Sequence, residues 1–222
     1  MAGRAMKRSR QFTILLFATA MPLLGGCAAT VVPPADPADP RPAFILDHGR
    51  HATLVVVDSS GRPVRYAFAE TNTDPGSDFG FFRGLGALLV PDSGMLGRRV
   101  LPGSPTAQNI LATVGMTVEN LYCIAVSGER ANRLQRVLNL VFEKNLATAT
   151  HDPDWNLEFV EHPEDYWFGD DPNQAVENWL IELDCDVSGI TSFGDWKIER
   201  PAGELPAVCA EGSRKSKVES RK

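Results

Sequence analysis

The sequence predicts an α+β fold, an antiparallel sheet packed with helices. Three observations point that way. Apolar, β-branched segments come first, and two of them flank a turn. Segments with helical periodicity come later. No internal repeat breaks this order, so strands first and helices afterwards mark a single α+β domain.

The chain opens with Arg4, Lys7, Arg8 and Arg10 and continues as a mostly apolar stretch, Phe12 to Leu24. That stretch is about 13 residues long, short of the ~20 needed to cross ~30 Å of hydrocarbon as a helix. Its length and flanks are those of a secretory signal peptide over residues 1–26. The residues that end it, Leu24-Gly25-Gly26-Cys27, resemble the lipobox of bacterial lipoproteins, whose cysteine is diacylated through its thiol and becomes the new amino terminus. The resemblance implies lipidation of Cys27 and a membrane partner through that anchor. Two or three acyl chains hold firmly, because each buried methylene adds ~0.8 kcal/mol. With Ala28 rather than aspartate after the cysteine, sorting by analogy implies the outer membrane, facing the periplasm.

Prolines 33, 34, 37, 40 and 42 make residues 27–42 read as the acylated cysteine followed by an extended polyproline II tether. The domain is expected over 43–210. Strands are expected at Ala43 to Leu46 and His51 to Val57. A turn over Asp58 to Pro63 leads to a third strand, Val64 to Ala69. The stretch Gly80 to Leu89 reads as a short helix in its second half; its glycines fit neither a phosphate loop nor a dinucleotide fingerprint. From an N-cap at Ser127, apolar Ala131, Leu134, Val137, Leu138, Val141 and Phe142 fall on one helix face. A second helix starts at Asp171-Pro172, a capping residue with proline at the first helical position, and lines Ala175, Val176, Trp179, Leu180 and Leu183 on one side. Strand-like segments at Asn156 to Glu161 and around Trp196-Lys197-Ile198 complete the set. Residues 211–222 read as a basic, solvated tail.

Charge limits the partners. The whole chain carries a formal −6, and the four basic residues of the signal leave −10 on the remainder. The tail, with five Lys/Arg and two Glu, leaves about −13 on the body, which repels nucleic acid. Three cysteines remain besides Cys27. Cys185 and Cys209 flank a loop-rich stretch and are the disulfide candidates, while Cys123 lies in the apolar run Leu121 to Val126 and reads as an inert buried thiol.

His48-Gly49-Arg50-His51 leads into the apolar strand and hairpin. Leu96-Gly97-Arg98-Arg99 follows, and the later helix begins after Tyr166-Trp167-Phe168 and contains Val176-Glu177-Asn178-Trp179-Leu180. This layout resembles the circularly permuted papain-like superfamily, which includes NlpC-related hydrolases and lecithin–retinol acyltransferase. The resemblance implies a permuted papain-like (NlpC-related) architecture, with His51 in the position of the catalytic base. It also implies a groove at the helix start, bordered by His48, Tyr166, Trp167, Asn173 and Gln174. A thiol at a helix N-terminus is activated by free N–H groups, the dipole and a nearby imidazole. Where the family places that cysteine, this chain has Asp171-Pro172-Asn173-Gln174, which contains no nucleophile.

Other constellations favour plainer readings. His48 and His51 at strand spacing point to opposite faces and would need a loop at Gly49 to share a metal with Asp47 or Asp58. No metal or cofactor is therefore expected. His151-Asp152-Pro153-Asp154 and His162-Pro163-Glu164-Asp165 read as solvated turns, and Asp170-Asp171 as a cap. Three functions stay open. The first is a non-catalytic lipoprotein domain that binds or scaffolds peptidoglycan or another envelope protein. The second is a thiol hydrolase or acyltransferase on cell-wall peptide or lipid with His51 as base. The third is a purely structural lipoprotein of an envelope complex.

Overall fold

The computed structural model describes residues 28–70, 94–162, 171–192, 194–200 and Cys209. Cys27, the glycine-rich stretch 80–89, Tyr166, Trp167 and the basic tail lie outside the described residues. Ten strands and three helices run in the order β1 (Ala29–Val32), β2 (Pro40–Asp47), β3 (Ala52–Val57), β4 (Pro63–Glu70), β5 (Gly94–Val100), α1 (Ala107–Thr113), β6 (Asn120–Ser127), α2 (Gly128–Lys144), β7 (Thr150–Asp152), β8 (Leu157–His162), α3 (Pro172–Glu182), β9 (Asp186–Ser188) and β10 (Trp196–Ile198) among the described residues. The expected α+β class is the one observed.

Seven strands form one sheet in the order β6-β2-β3-β4-β5-β8-β7, every neighbouring pair antiparallel. A smaller sheet, β10-β1-β9, is parallel on one side of β1 and antiparallel on the other. Both faces of the large sheet are covered. Ile45, Leu54, Val56, Tyr66 and Leu96 face α2, α3 and the small sheet, where Leu138, Phe142, Trp179 and Leu180 are fully buried. Phe44, Leu46 and Val55 face the other way, against Leu101, Ile110, Val114 and Cys209. Burial on both sides explains why the early strands read as unbroken apolar runs rather than an alternation. The small sheet and α3 belong to the first core, so the last third of the chain closes over strands from the first.

Several expectations need correction. The tether expected over 27–42 is not free: Ala29 and Val31 are fully buried in β1, and β2 already begins at Pro40. Proline content dominated that reading. Yet Pro40 and Pro42 pair with β6 alone, before β3 joins at Ala43, and proline's missing N–H is tolerated at such an edge. The pairing of Cys185 with Cys209 is also overturned. Cys209 is bonded to Cys123, with Cα atoms 5.6 Å apart, and Cys185 is free and buried. The sheet itself is the reason, since Cys123 and Cys209 pack on one face and Cys185 on the other. His151-Asp152 lies in β7, and His162 closes β8 as a buried residue rather than standing in a solvated turn. Ser127 occupies the N-cap position of α2 but makes no side-chain capping bond.

Candidate functional site

The site the sequence singles out is built on the turn between β2 and β3. Strand pairing ends at Asp47 opposite Ala52, and the His48 N–H donates to the His51 carbonyl at 2.9 Å, closing a four-residue turn. Gly49 takes φ +96°, a left-handed value that glycine adopts without strain, and its N–H donates to Asp47 Oδ1 at 2.7 Å. Asp47 Oδ2 accepts from Asn120 Nδ2 at 2.8 Å, which ties the turn to β6. The turn brings the two histidines together, against their strand spacing: their rings stack with centroids 5.1 Å apart.

His48 is locked in one neutral form. Its Nδ1–H donates to the Thr117 carbonyl at 2.6 Å, so Nε2 is the acceptor and faces Thr53 Oγ1 at 3.0 Å and Arg65 Nη2 at 3.4 Å. Burial first, and the Arg65 charge second, lower its pKa to about 3. The ring has no spare nitrogen to offer a ligand.

Arg65 is the residue that sequence reading missed. It lies in the middle of β4, fully buried, on the face opposite Tyr66. Nε donates to Thr53 Oγ1 at 3.1 Å, Nη1 to the Trp155 carbonyl at 2.8 Å and Nη2 to Met116 Sδ at 2.6 Å. None of these acceptors is a carboxylate, and burial, then the neighbouring Arg99 charge, pull its pKa down to about 9. The available signal was a lone arginine inside the run Val64 to Ala69, whose other residues are apolar or aromatic. Trp155 completes the cluster. Its ring stacks on His51 at 4.3 Å between centroids, and its backbone N–H is held by Asp152 Oδ1 at 3.0 Å. Arg65, Trp155, His51 and His48 thus form a closed ring of contacts.

The N-terminus of α3 abuts the same turn. Asn173 Nδ2 donates to the Arg50 carbonyl at 2.9 Å, and Asn173 is buried, its Oδ1 without a partner among the described residues. Asp171 caps the helix as expected: Oδ1 accepts from the N–H groups of Asn173 at 2.8 Å and Gln174 at 2.9 Å. Its Oδ2 accepts from Ser192 Oγ at 3.2 Å. The helix-end N–H groups that would activate a thiol are taken by a carboxylate of the chain itself. Asn173 therefore straps α3 to the histidine turn through the Arg50 backbone, with Gln174 next to it in the first turn of the helix, while the His48 ring meets Thr53 and Arg65 on the sheet face away from α3.

The one free thiol among the described residues lies elsewhere. Cys185 follows the C-terminal end of α3, about 18 Å along the helix from Asn173 at 1.5 Å per residue. Burial, with Asp184 adding to it, pushes its pKa up to about 12. No three His, Cys, Asp or Glu side chains converge as a metal site among the described residues. A hollow of about 320 Å³ lies where β8 parts from β5, lined by Arg98, Arg99, His151, Asn156 and Glu158 among others. Compared with known proteins, the chain matches no family model, no curated protein and no solved structure.

Proposed function

We propose that this chain is a lipid-anchored envelope protein, held through Cys27 on the periplasmic face of the outer membrane. Its body, on this reading, is a permuted papain-like (NlpC-related) domain that binds or scaffolds peptidoglycan or another envelope protein and does no thiol chemistry. Support for the architecture comes from the contact between Asn173 and Arg50, which sets the start of a late helix against the histidine turn before an early strand. The observation that carries the non-catalytic reading is Asp171. Its carboxylate satisfies the first-turn N–H groups at the place where such enzymes keep a thiolate, and a fixed negative charge there opposes ionisation of any thiol.

Two measurements test this. Treating the native protein with a thiol-directed electrophile at neutral pH should leave Cys185 unmodified until the fold is opened by denaturant. A rapidly alkylated native thiol would restore the hydrolase reading. Intact mass of protein purified from membranes should show a diacylglyceryl-modified Cys27 as the first residue, and an unmodified N-terminus would remove the anchor. Capture from membranes with the acyl group intact then reports the partner, and recovery of peptidoglycan fragments or an envelope protein is the expected result.

A further inference from the structure

On the anchored reading, the folded body starts almost at the acylation site. Ala29 is fully buried, its N–H donates to the Asp195 carbonyl at 2.8 Å, and it pairs with Trp196. Only Ala28 separates it from Cys27. Two virtual bonds of 3.8 Å therefore limit the Cys27–Ala29 Cα separation to roughly 8 Å. The proline-rich segment offers no slack, because it lies beyond β1 and joins two elements of the same body.

The surface around Ala28 is defined on two sides. Gly189 has φ +98° and packs so closely that a Cβ there would stand 2.5 Å from the Ala28 carbonyl oxygen. Ile190 follows it in the chain and is a large apolar residue 48% exposed. On the other side, a Cβ at Gly194 would meet the Gly49 carbonyl oxygen at 2.8 Å, so the loop through Asp195 rests on the histidine turn. Ala28, Ile190 and the 48–51 turn thus share one end of the described body. The Asp58–Arg62 turn, stapled by Asp58 to Arg62, lies at the other end of β3, ~20 Å away at 3.3 Å per residue. Charge at this end is net acidic among the described residues: the exposed Arg50 stands with exposed Asp195 and Glu119, Glu177 accepts from Thr191 and Asp171 from Ser192, and Lys197 is paired with Glu199.

We propose that the body docks flush on a zwitterionic lipid surface, with Ile190 seated in the headgroup region beside the anchor and the His48–His51 end facing the bilayer. This rests on acylation of Cys27. A short link removes the freedom to swing away, an apolar side chain gains from the interface, and the acidic excess at this end, with a body near −13, disfavours anionic lipid. With that end against the bilayer, an envelope protein held at the same membrane, rather than peptidoglycan, is the partner of the proposed reading that the candidate site can meet.

Spin labels test the orientation in the full acylated protein, reconstituted into phosphatidylcholine–phosphatidylethanolamine nanodiscs. One label is placed at Ile190→Cys and another at Ser60→Cys in the distal turn, both exposed positions. The label at 190 should be at least several-fold less accessible to a water-soluble nickel relaxant than the label at 60. Hydrogen exchange of residues 186–198 in the unsubstituted protein should slow on nanodiscs relative to detergent. Equal accessibility and unchanged exchange in a preparation whose mass shows acylated Cys27 overturn the docking alone. Absence of the acyl group overturns the docking and the anchor together.

Discussion

At the scale of single residues, His48 and Arg65 show how burial decides what an ionisable group can do. His48 is held neutral by the Thr117 carbonyl on one nitrogen and by Thr53 and Arg65 on the other. Its folded pKa, about 3, lies below the unfolded value of 6.5, so the unfolded chain takes up the proton first as pH falls. Stability from this group is complete above pH 6.5 and declines toward pH 3, with a limiting slope of about 1.4 kcal/mol per pH unit. Urea unfolding over that range should show the decline, and His48→Gln should flatten it. Arg65 is a buried cation whose acceptors are neutral, and removing its side chain strands the Trp155 carbonyl. Arg65→Met should lower unfolding free energy by about 2 kcal/mol in urea titrations, since an unmade buried hydrogen bond costs about 1–3 kcal/mol. Neither role was legible beforehand. The histidines stood out as a motif, but apart from Thr53 their partners are Arg65 in β4, Thr117 ahead of β6 and Trp155, far away in sequence.

At the scale of elements, α3 is the best-read part of the chain and the one on which the proposed non-catalytic reading turns. Asp171 and Pro172 announce its start, and Trp179 and Leu180 its buried face. Asp171→Ala should destabilise the protein by about 1 kcal/mol, the usual cost of a lost N-cap, measured by thermal or urea unfolding. The same change frees the N–H groups of Asn173 and Gln174. Elements without periodicity were harder to see. β5 reads Gly-Met-Leu-Gly-Arg-Arg-Val, with two glycines and two arginines, and becomes a strand because β4 and β8 pair with it on both sides. β1, β7 and β9 are three or four residues long and owe their strand state to neighbours already in place.

At the scale of the whole molecule, the sheet separates two cores and assigns the cysteines. The Cys123–Cys209 bond spans 86 residues and pins the distal part of the chain to the face away from α2 and α3. Reduction should cost about 4 kcal/mol through the longer reach of the unfolded chain. Reductant should therefore shift the urea midpoint down, whereas Cys185→Ala should not abolish that shift. A shift that vanished in Cys185→Ala would mean that Cys185 belongs to the bond.

The sequence by itself determined the fold class, the β3–β4 hairpin, the two long helices with the α3 cap, and the net negative charge of the chain. Each of these is written in local periodicity, turn chemistry or simple charge. Only the tertiary structure decided that Ala29 and Val31 belong to the body, that Cys209 joins Cys123, and that Arg65 and Trp155 enclose the two histidines. Those outcomes depend on which face of a seven-stranded sheet a side chain meets and which distant strand lies beside it. Contacts between residues about 90 positions apart leave no periodic mark in either segment.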